Sequence, residues 1–328
     1  MFNNLVNKYD FVRLVEKIRQ GYLYKILSKL TLVKLGRVKE SWKHTVTNQS
    51  NWWDVPEVIS RWNLLITGNP NLSPQEYFSK KYFSQKKNLN GLSIGCSTGQ
   101  NELKWVKSTH FNRLIAHDLS NERIAYAKNQ ADREGYSHII QFFVSDFFDI
   151  KVRENEYDII TAEGSLHHLK NIDEVVRRIK RMLKKDGYLI VNDFVGPCRF
   201  QWTDRQLEIV NGLLTIIPNR YRKRIYSGSI KKRHYKPGRL TMIVNDPSEA
   251  VESSNILPSI RKHFNIVELK EYGGTILHIL LNEIAHNFIS TNEESKQILK
   301  LCFEVEDLML KMKEIQSDYV FLAAQKKS

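Results

Sequence analysis

The chain has 328 residues, 41% of them hydrophobic, enough for one large domain with additions or two small ones. Its three cysteines, Cys96, Cys198 and Cys302, share no metal-like spacing and outline no disulfide framework, so a reducing, cytoplasmic setting is expected. The formal charge of +14 is concentrated: residues 1–50 carry ten Lys/Arg against three Asp/Glu, residues 219–239 carry nine Lys/Arg and no acid, and the remaining body is nearly neutral.

No run approaches the roughly 20 apolar residues of a transmembrane helix, and MFNNLVNKYDFVRLVEKIRQ lacks the uninterrupted apolar core of a leader. Between 10 and 30, Phe11, Leu14, Val15, Ile18, Tyr22, Ile26 and Leu30 fall at helical spacing, with cations mostly off that face. This basic amphipathic helix suits peripheral contact with an anionic membrane, but packing over the domain is favoured. Short helices and loops follow to about residue 84, punctuated at Gly68-Asn69-Pro70 and Ser73-Pro74.

From about 90, strands alternate with helices. GLSIG is a strand, Gln100–Ser108 a helix, 113–118 a strand, and Ser120 caps a helix to about Glu134. Strands follow at 139–146 and 157–163, then an amphipathic helix over 173–185 closed by Asp186-Gly187, then a strand over 188–194. This rhythm argues for a parallel sheet with helices on both faces. IIQFFV and YLIV have the largely apolar character of strands buried on both sides. After Phe194 comes an insertion with a helix near 203–216 and a basic loop; a helix, a strand at 265–272, helices at 276–288 and 293–315 and a last strand at 318–326 complete the chain.

The turn after the first strand, Gly95-Cys96-Ser97-Thr98-Gly99, has the outline of a loop that aims backbone N–H groups at a ligand. It lacks both G-x-G-x-x-G and the Lys-Ser/Thr pair of a P-loop. Ligands of open parallel sheets bind at the carboxyl ends of the strands. Those ends present Asp118, suited to ribose hydroxyls, Asp146 with Phe147, suited to an adenine, and Glu163. Each acid alone is as readily a helix cap; the ordered set points to a nucleoside-bearing ligand.

LSIGCSTGQ, AHDLSNERIAYAKNQA, FFVSDFFD, YDIITAEGSLHHL and DGYLIV together resemble the class I S-adenosylmethionine-dependent methyltransferases, over about 85–195 with 255–328 completing the sheet. The resemblance implies a doubly wound α/β fold with a seven-stranded sheet, mostly parallel with an antiparallel last strand. It places an N-terminal helical extension at 1–84 and a methyltransferase domain at 85–328, with a helical and basic insertion over 196–254 after the fifth strand. S-adenosylmethionine is the implied cofactor. Gly95, Cys96, Ser97 and Gly99 would line its methionine end, with Asp118 and Leu119 at the ribose, Asp146 and Phe147 at the adenine, and Glu163 beside them. Ser97 departs from the glycine that many members carry there. Some later segments resemble bacterial methyltransferases of glycan chemistry.

Methyl transfer from a sulfonium is an in-line displacement that needs a placed nucleophile and excluded water. A hydroxyl acceptor also needs a base or a metal. His168 and His167, after the fourth strand, and Asp193, ending the fifth, are the catalytic candidates; packing and capping are their other readings. Tyr235, Asp246, Glu249 and His278 lie in segments expected to roof the acceptor pocket. No His and acid spacing in the sequence suggests a metal, so metal independence is expected. AEGSLHH stands where amino methyltransferases of nucleobases carry an Asn/Asp-Pro-Pro-aromatic motif, which disfavours that class. The 219–239 cations, interleaved with Tyr221, Tyr226 and Tyr235, read as a solvated loop, a lid for an anionic acceptor, or an RNA-binding patch; the lid is preferred to RNA. The expected activity is O-methylation of a small molecule or glycan, with RNA methylation and non-catalytic cofactor binding as alternatives. The oligomeric state is not legible.

Overall fold

The structure, a computed structural model, describes residues 5–6, 10, 51–290 and 292–327. The amphipathic segment at 10–30 lies outside the described residues beyond Asp10. Helices α1 (Pro56–Thr67) and α2 (Pro74–Tyr82) lead into the sheet. Each opens on a proline, and α2 is fastened by a reciprocal Ser73–Glu76 capping box.

Strands β1 (Leu89–Ile94), β2 (Phe111–Asp118), β3 (Ile140–Val144), β4 (Tyr157–Glu163), β5 (Leu183–Phe194), β6 (Phe264–Glu271) and β7 (Tyr319–Lys326) form one sheet in the order β3-β2-β1-β4-β5-β7-β6. Strands β1 to β5 run parallel, and β7 is antiparallel to both its neighbours, β5 and β6. The expected fold class is therefore the observed one. The strand order reverses at β1 and β4, so the crevice beyond their carboxyl ends is the topological switch point where such sheets hold ligands.

Helices α3 (Gln100–Ser108) and α4 (Asn121–Arg133) cover one face, and α5 (Ile172–Met182) with α8 (Ile256–His263) the other. The apolar stripe read from the sequence explains α5: Val175, Val176, Ile179 and Met182 are all fully buried. Each such side chain contributes about 1.5–3 kcal/mol of transfer free energy. Helix α5 stops at Met182, before Asp186-Gly187, because Leu183 joins the sheet opposite Tyr157. A third cluster packs α1 with α6 (Asp204–Ile216), α9 (Leu277–Leu281) and α10 (Glu293–Lys311) around Trp52, Leu213, Ile279 and Leu299.

Two expectations are corrected. IIQFFV is not buried on both faces: β3 is the edge strand, and Gln141, Phe143 and Val144 are exposed. The helix expected over 276–288 breaks after Leu281 and resumes as a 3₁₀ turn at Ala285–Phe288. The cause is Lys231, a fully buried cation of the basic segment. Its Nζ donates to the carbonyls of Ile279, Leu280 and Asn282 at 2.8, 3.0 and 2.8 Å. It thereby satisfies the acceptors that a helix end leaves open.

Candidate functional site

The GCSTG loop leaves β1 through Gly95, whose φ of +71° and closeness to Ser165 exclude a side chain. Four of the loop's five N–H groups are turned inward. The N–H groups of Gly95 and Cys96 donate to the carbonyl of His117, that of Ser97 to Asp118 Oδ2, and that of Gly99 to the carbonyl of Cys96. These donors are satisfied inside the protein, so the expectation of N–H groups aimed at a ligand does not hold for them. Cys96 is buried, and burial pushes its thiol up well above the ordinary range, which makes it an inert wall.

Ser97 adopts φ +49°, the left-handed region that favours glycine. Its hydroxyl accepts from Arg123 at 3.2 Å, a contact that offsets part of the conformational cost of about 1 kcal/mol. Ser97→Gly should fold as stably as the parent, within about 1 kcal/mol, and keep its cofactor affinity; a loss of binding in calorimetry would show that the serine is required.

Asp118 is buried and accepts from Ser97 N on one oxygen and Ser120 N on the other, both at 2.9 Å. It thus ties the loop to the start of α4, with half-buried Leu119 between. Asp146 accepts from Phe148 N as a cap, while Phe147 is packed into the core beneath the guanidinium of Arg178. Glu163 accepts from Trp105 Nε1 at 2.7 Å and Gln75 Nε2 at 2.8 Å, which joins α2 to the end of β4; burial pushes its carboxyl up. Two buried acceptors at this place have no partner among the described residues: Gln75 Oε1 and Ser165 Oγ, the latter on the residue that Gly95 abuts. Leaving such atoms unpaired costs about 1–3 kcal/mol each. These acceptors beside Glu163 fit the ammonium of S-adenosylmethionine.

Beneath the loop, Glu102 is buried against Ser93 Oγ at 2.5 Å, and burial raises its carboxyl from 4.5 to about 8. The native state therefore binds this proton more tightly than the unfolded chain does. The linked stability is fully present below 4.5 and is lost as pH rises through 8. Denaturant melts should show stability falling across that window by up to about 1.4 kcal/mol per pH unit, and Glu102→Gln should flatten the slope.

The turn Ser165–His168 touches both the loop and a second cluster. Asp193, buried at the end of β5, accepts from the N–H groups of Ser165, Leu166 and Phe194 at 3.0, 2.7 and 2.8 Å. It also holds His167 Nδ1 at 2.5 Å. Burial opposes charge on His167, but the adjacent Asp193 carboxylate overrides it and raises the imidazole to about 9. His168, whose ring centroid is 4.0 Å from that of His167, is pushed well below 6.5 by burial and by its neighbour's charge. Glu249 Oε1 lies 3.6 Å from His167 Nε2, and burial raises its carboxyl to about 7.

Glu249 is delivered by a loop that the sequence left unreadable. Arg199, at φ +57°, donates to the carbonyls of Asp246, Pro247 and Glu249 at 3.4, 2.8 and 3.0 Å. No motif marks this residue. Of the other expected roof groups, His278 is enclosed among Trp52, Phe194, Phe200, Trp202 and Tyr319, where burial lowers it to about 3. Tyr235 is exposed. In the basic segment, Arg220 pairs with Glu294, Arg224 with Glu283 and Lys236 with Asp204, and Lys231 is buried on carbonyls. Three of its nine cations are thus paired with acids, and a fourth is buried on carbonyls.

Residues 92–191 match the family model described as a methyltransferase domain. A sterol 24-C-methyltransferase of Aspergillus fumigatus is 27% identical over 124 residues, 38% of this chain and 33% of that protein. The 27-O-demethylrifamycin SV methyltransferase of Amycolatopsis mediterranei is 23% identical over 130 residues, 38% of this chain and 47% of that one. The matched part is thus under half the length of either relative. Among solved structures, a geranyl diphosphate C-methyltransferase from Streptomyces coelicolor superposes with a TM-score of 0.54 at 11% identity, over 90% of this chain and 99% of that one. That likeness establishes the shared fold. With this sheet order, residues 92–191 form a methyltransferase domain of the class I S-adenosylmethionine-dependent kind.

Proposed function

We propose that the protein transfers a methyl group from S-adenosylmethionine to a hydroxyl of a small molecule or glycan, directly and in line. The observation that carries this reading is the turn Ser165–His168, which forms one wall of the glycine loop and also bears the two histidines of the half-buried His167–His168–Glu249 cluster. A methyl donor held at the loop and an acceptor at the cluster would share one crevice. The cofactor supplies the electrophilic methyl. Gln75 and Ser165 offer their unpartnered oxygens to its amino-acid end, Asp118 keeps the loop shaped for its ribose, and Asp146 stands where its adenine would lie.

The cluster handles the acceptor's proton. A hydroxyl is a poor nucleophile until its proton has somewhere to go. Asp193 fixes the plane and tautomer of His167, because a carboxylate can only accept and Nδ1 must then carry hydrogen. The neutral imidazole of His168 and the carboxylate of Glu249 complete a polar end to an otherwise aromatic roof. Pairing of Arg220, Arg224 and Lys236 with protein carboxylates and the burial of Lys231 reduce the charge the segment can offer to phosphates. The rifamycin relative, named for an O-methylated position, accords with oxygen as the acceptor atom.

Calorimetry with S-adenosylmethionine should show one site, and Asp118→Ala should weaken it by about 1–3 kcal/mol, roughly 5- to 150-fold. No binding by the folded protein overturns the reading. Labelled donor with fractionated cell extract should mark a small-molecule or glycan fraction; label confined to RNA overturns the acceptor class.

A further inference from the structure

The cluster holds a donor set that the chain's spacing conceals. One ring nitrogen each from His167 and His168 and a carboxylate oxygen of Glu249 lie within 4.8 Å of one another, all half-buried. Two donors bound to one ion at arms of about 2.1 Å and tetrahedral angles stand about 3.4 Å apart. His167 Nε2 and Glu249 Oε1 already stand 3.6 Å apart. We propose that His167, His168 and Glu249 form a binding site for one divalent transition-metal ion on the acceptor side of the crevice. This deepens the methyltransferase reading and rests on it for the ion's role, and it revises the expectation of metal independence.

The outer partners are those of a metal site. A metal-binding histidine donates its other ring N–H to a carboxylate or carbonyl, which fixes the tautomer and aims the lone pair. His167 does this through Nδ1 to Asp193, and three backbone N–H groups hold Asp193 itself. His168 Nδ1 lies 3.4 Å from Ser248 Oγ, on the loop that carries Glu249. That loop is held by the Arg199 guanidinium and by Val251 N, which donates to the carbonyl of His167 at 3.0 Å. Arg199, Phe200 and Ala250 all take positive φ here, at 57°, 50° and 46°. Such strain persists only where the surroundings enforce it, and here it delivers Glu249 to the two rings. Two imidazoles and one carboxylate suit zinc, iron(II), cobalt or nickel, whereas calcium and magnesium prefer oxygen donors throughout. Three protein ligands leave a position open, as at catalytic rather than structural sites. An oxygen of the acceptor fits that position.

The test is calorimetric titration of the untagged, chelator-stripped full chain with Zn²⁺ and with Mg²⁺ alone. One Zn²⁺ per chain at micromolar or tighter affinity, with Mg²⁺ at least 100-fold weaker, is expected. Glu249→Gln and His168→Ala should each lower Zn²⁺ affinity by 30-fold or more while circular dichroism shows them folded. If His168→Ala does not fold, Glu249→Gln decides alone. Wild-type Zn²⁺ affinity in Glu249→Gln, or no Zn²⁺ bound by the parent, overturns the site. S-adenosylmethionine affinity is measured on the same stripped protein: its loss refutes the methyltransferase reading and leaves the metal result standing.

Discussion

Asp193→Asn should fold and lose turnover by about 10²–10⁴-fold, measured as methyl incorporation into the acceptor fraction. The side chain is buried and accepts from three backbone N–H groups and one imidazole. Asparagine keeps the shape and one acceptor oxygen. Its amide donates, however, so facing His167 it would require Nδ1 to accept, which strips the proton that the Asp193 carboxylate holds there. The imidazole, raised to about 9 beside that carboxylate, would lose its partner and its charge at neutral pH. Asp193→Ala removes the acceptor altogether and leaves buried N–H groups unpaired, for a destabilisation of about 3–5 kcal/mol in denaturant melts. Parent-like turnover in Asp193→Asn would show that the pair is a strut for the turn and nothing more.

Gly95→Ala should abolish S-adenosylmethionine binding, with affinity down at least about 100-fold, equivalent to about 2.7 kcal/mol. A Cβ there would sit 2.4 Å from Ser165 Cβ, at a φ of +71°. Overpacking and left-handed strain add to a destabilisation of about 2–4 kcal/mol. The collision displaces Ser165, whose orphaned hydroxyl belongs to the cofactor site and whose N–H is held by Asp193. Gly68→Ala is the control: φ is +80° but nothing lies within 4 Å of the added carbon, so strain alone should appear, about 1–2 kcal/mol, with binding intact. Equal effects of the two substitutions on S-adenosylmethionine affinity would refute the close-contact explanation.

Local pattern carried most of the framework. The alternation of strands and helices from Leu89 to Phe194 is visible because apolar periodicity and caps act within a few residues of one another. Helix α5 and the Ser120 cap of α4 are such cases. The edge position of β3 was not legible, because largely apolar runs look alike whether one face is covered or both. The break after Leu281 was not legible either, since its cause, Lys231, lies about fifty residues earlier.

The candidate site divides along the same line. Gly95, Ser97, Gly99, Asp118, Asp146 and Glu163 could be grouped in advance because they lie at or just after strand ends, and a parallel sheet brings strand ends together by construction. Their partners were a tertiary matter: Asp118 and Glu163 hold the loop and α2, and Phe147 fills the core. The sequence by itself determined the alternating strands and helices, since these follow from periodicity and chain order. Only the tertiary structure decided that Glu249, 82 residues after His167, faces that histidine, and that Arg199 holds it there. Those contacts bridge an insertion whose path no local rule specifies, and they bring Glu249 to the histidine pair.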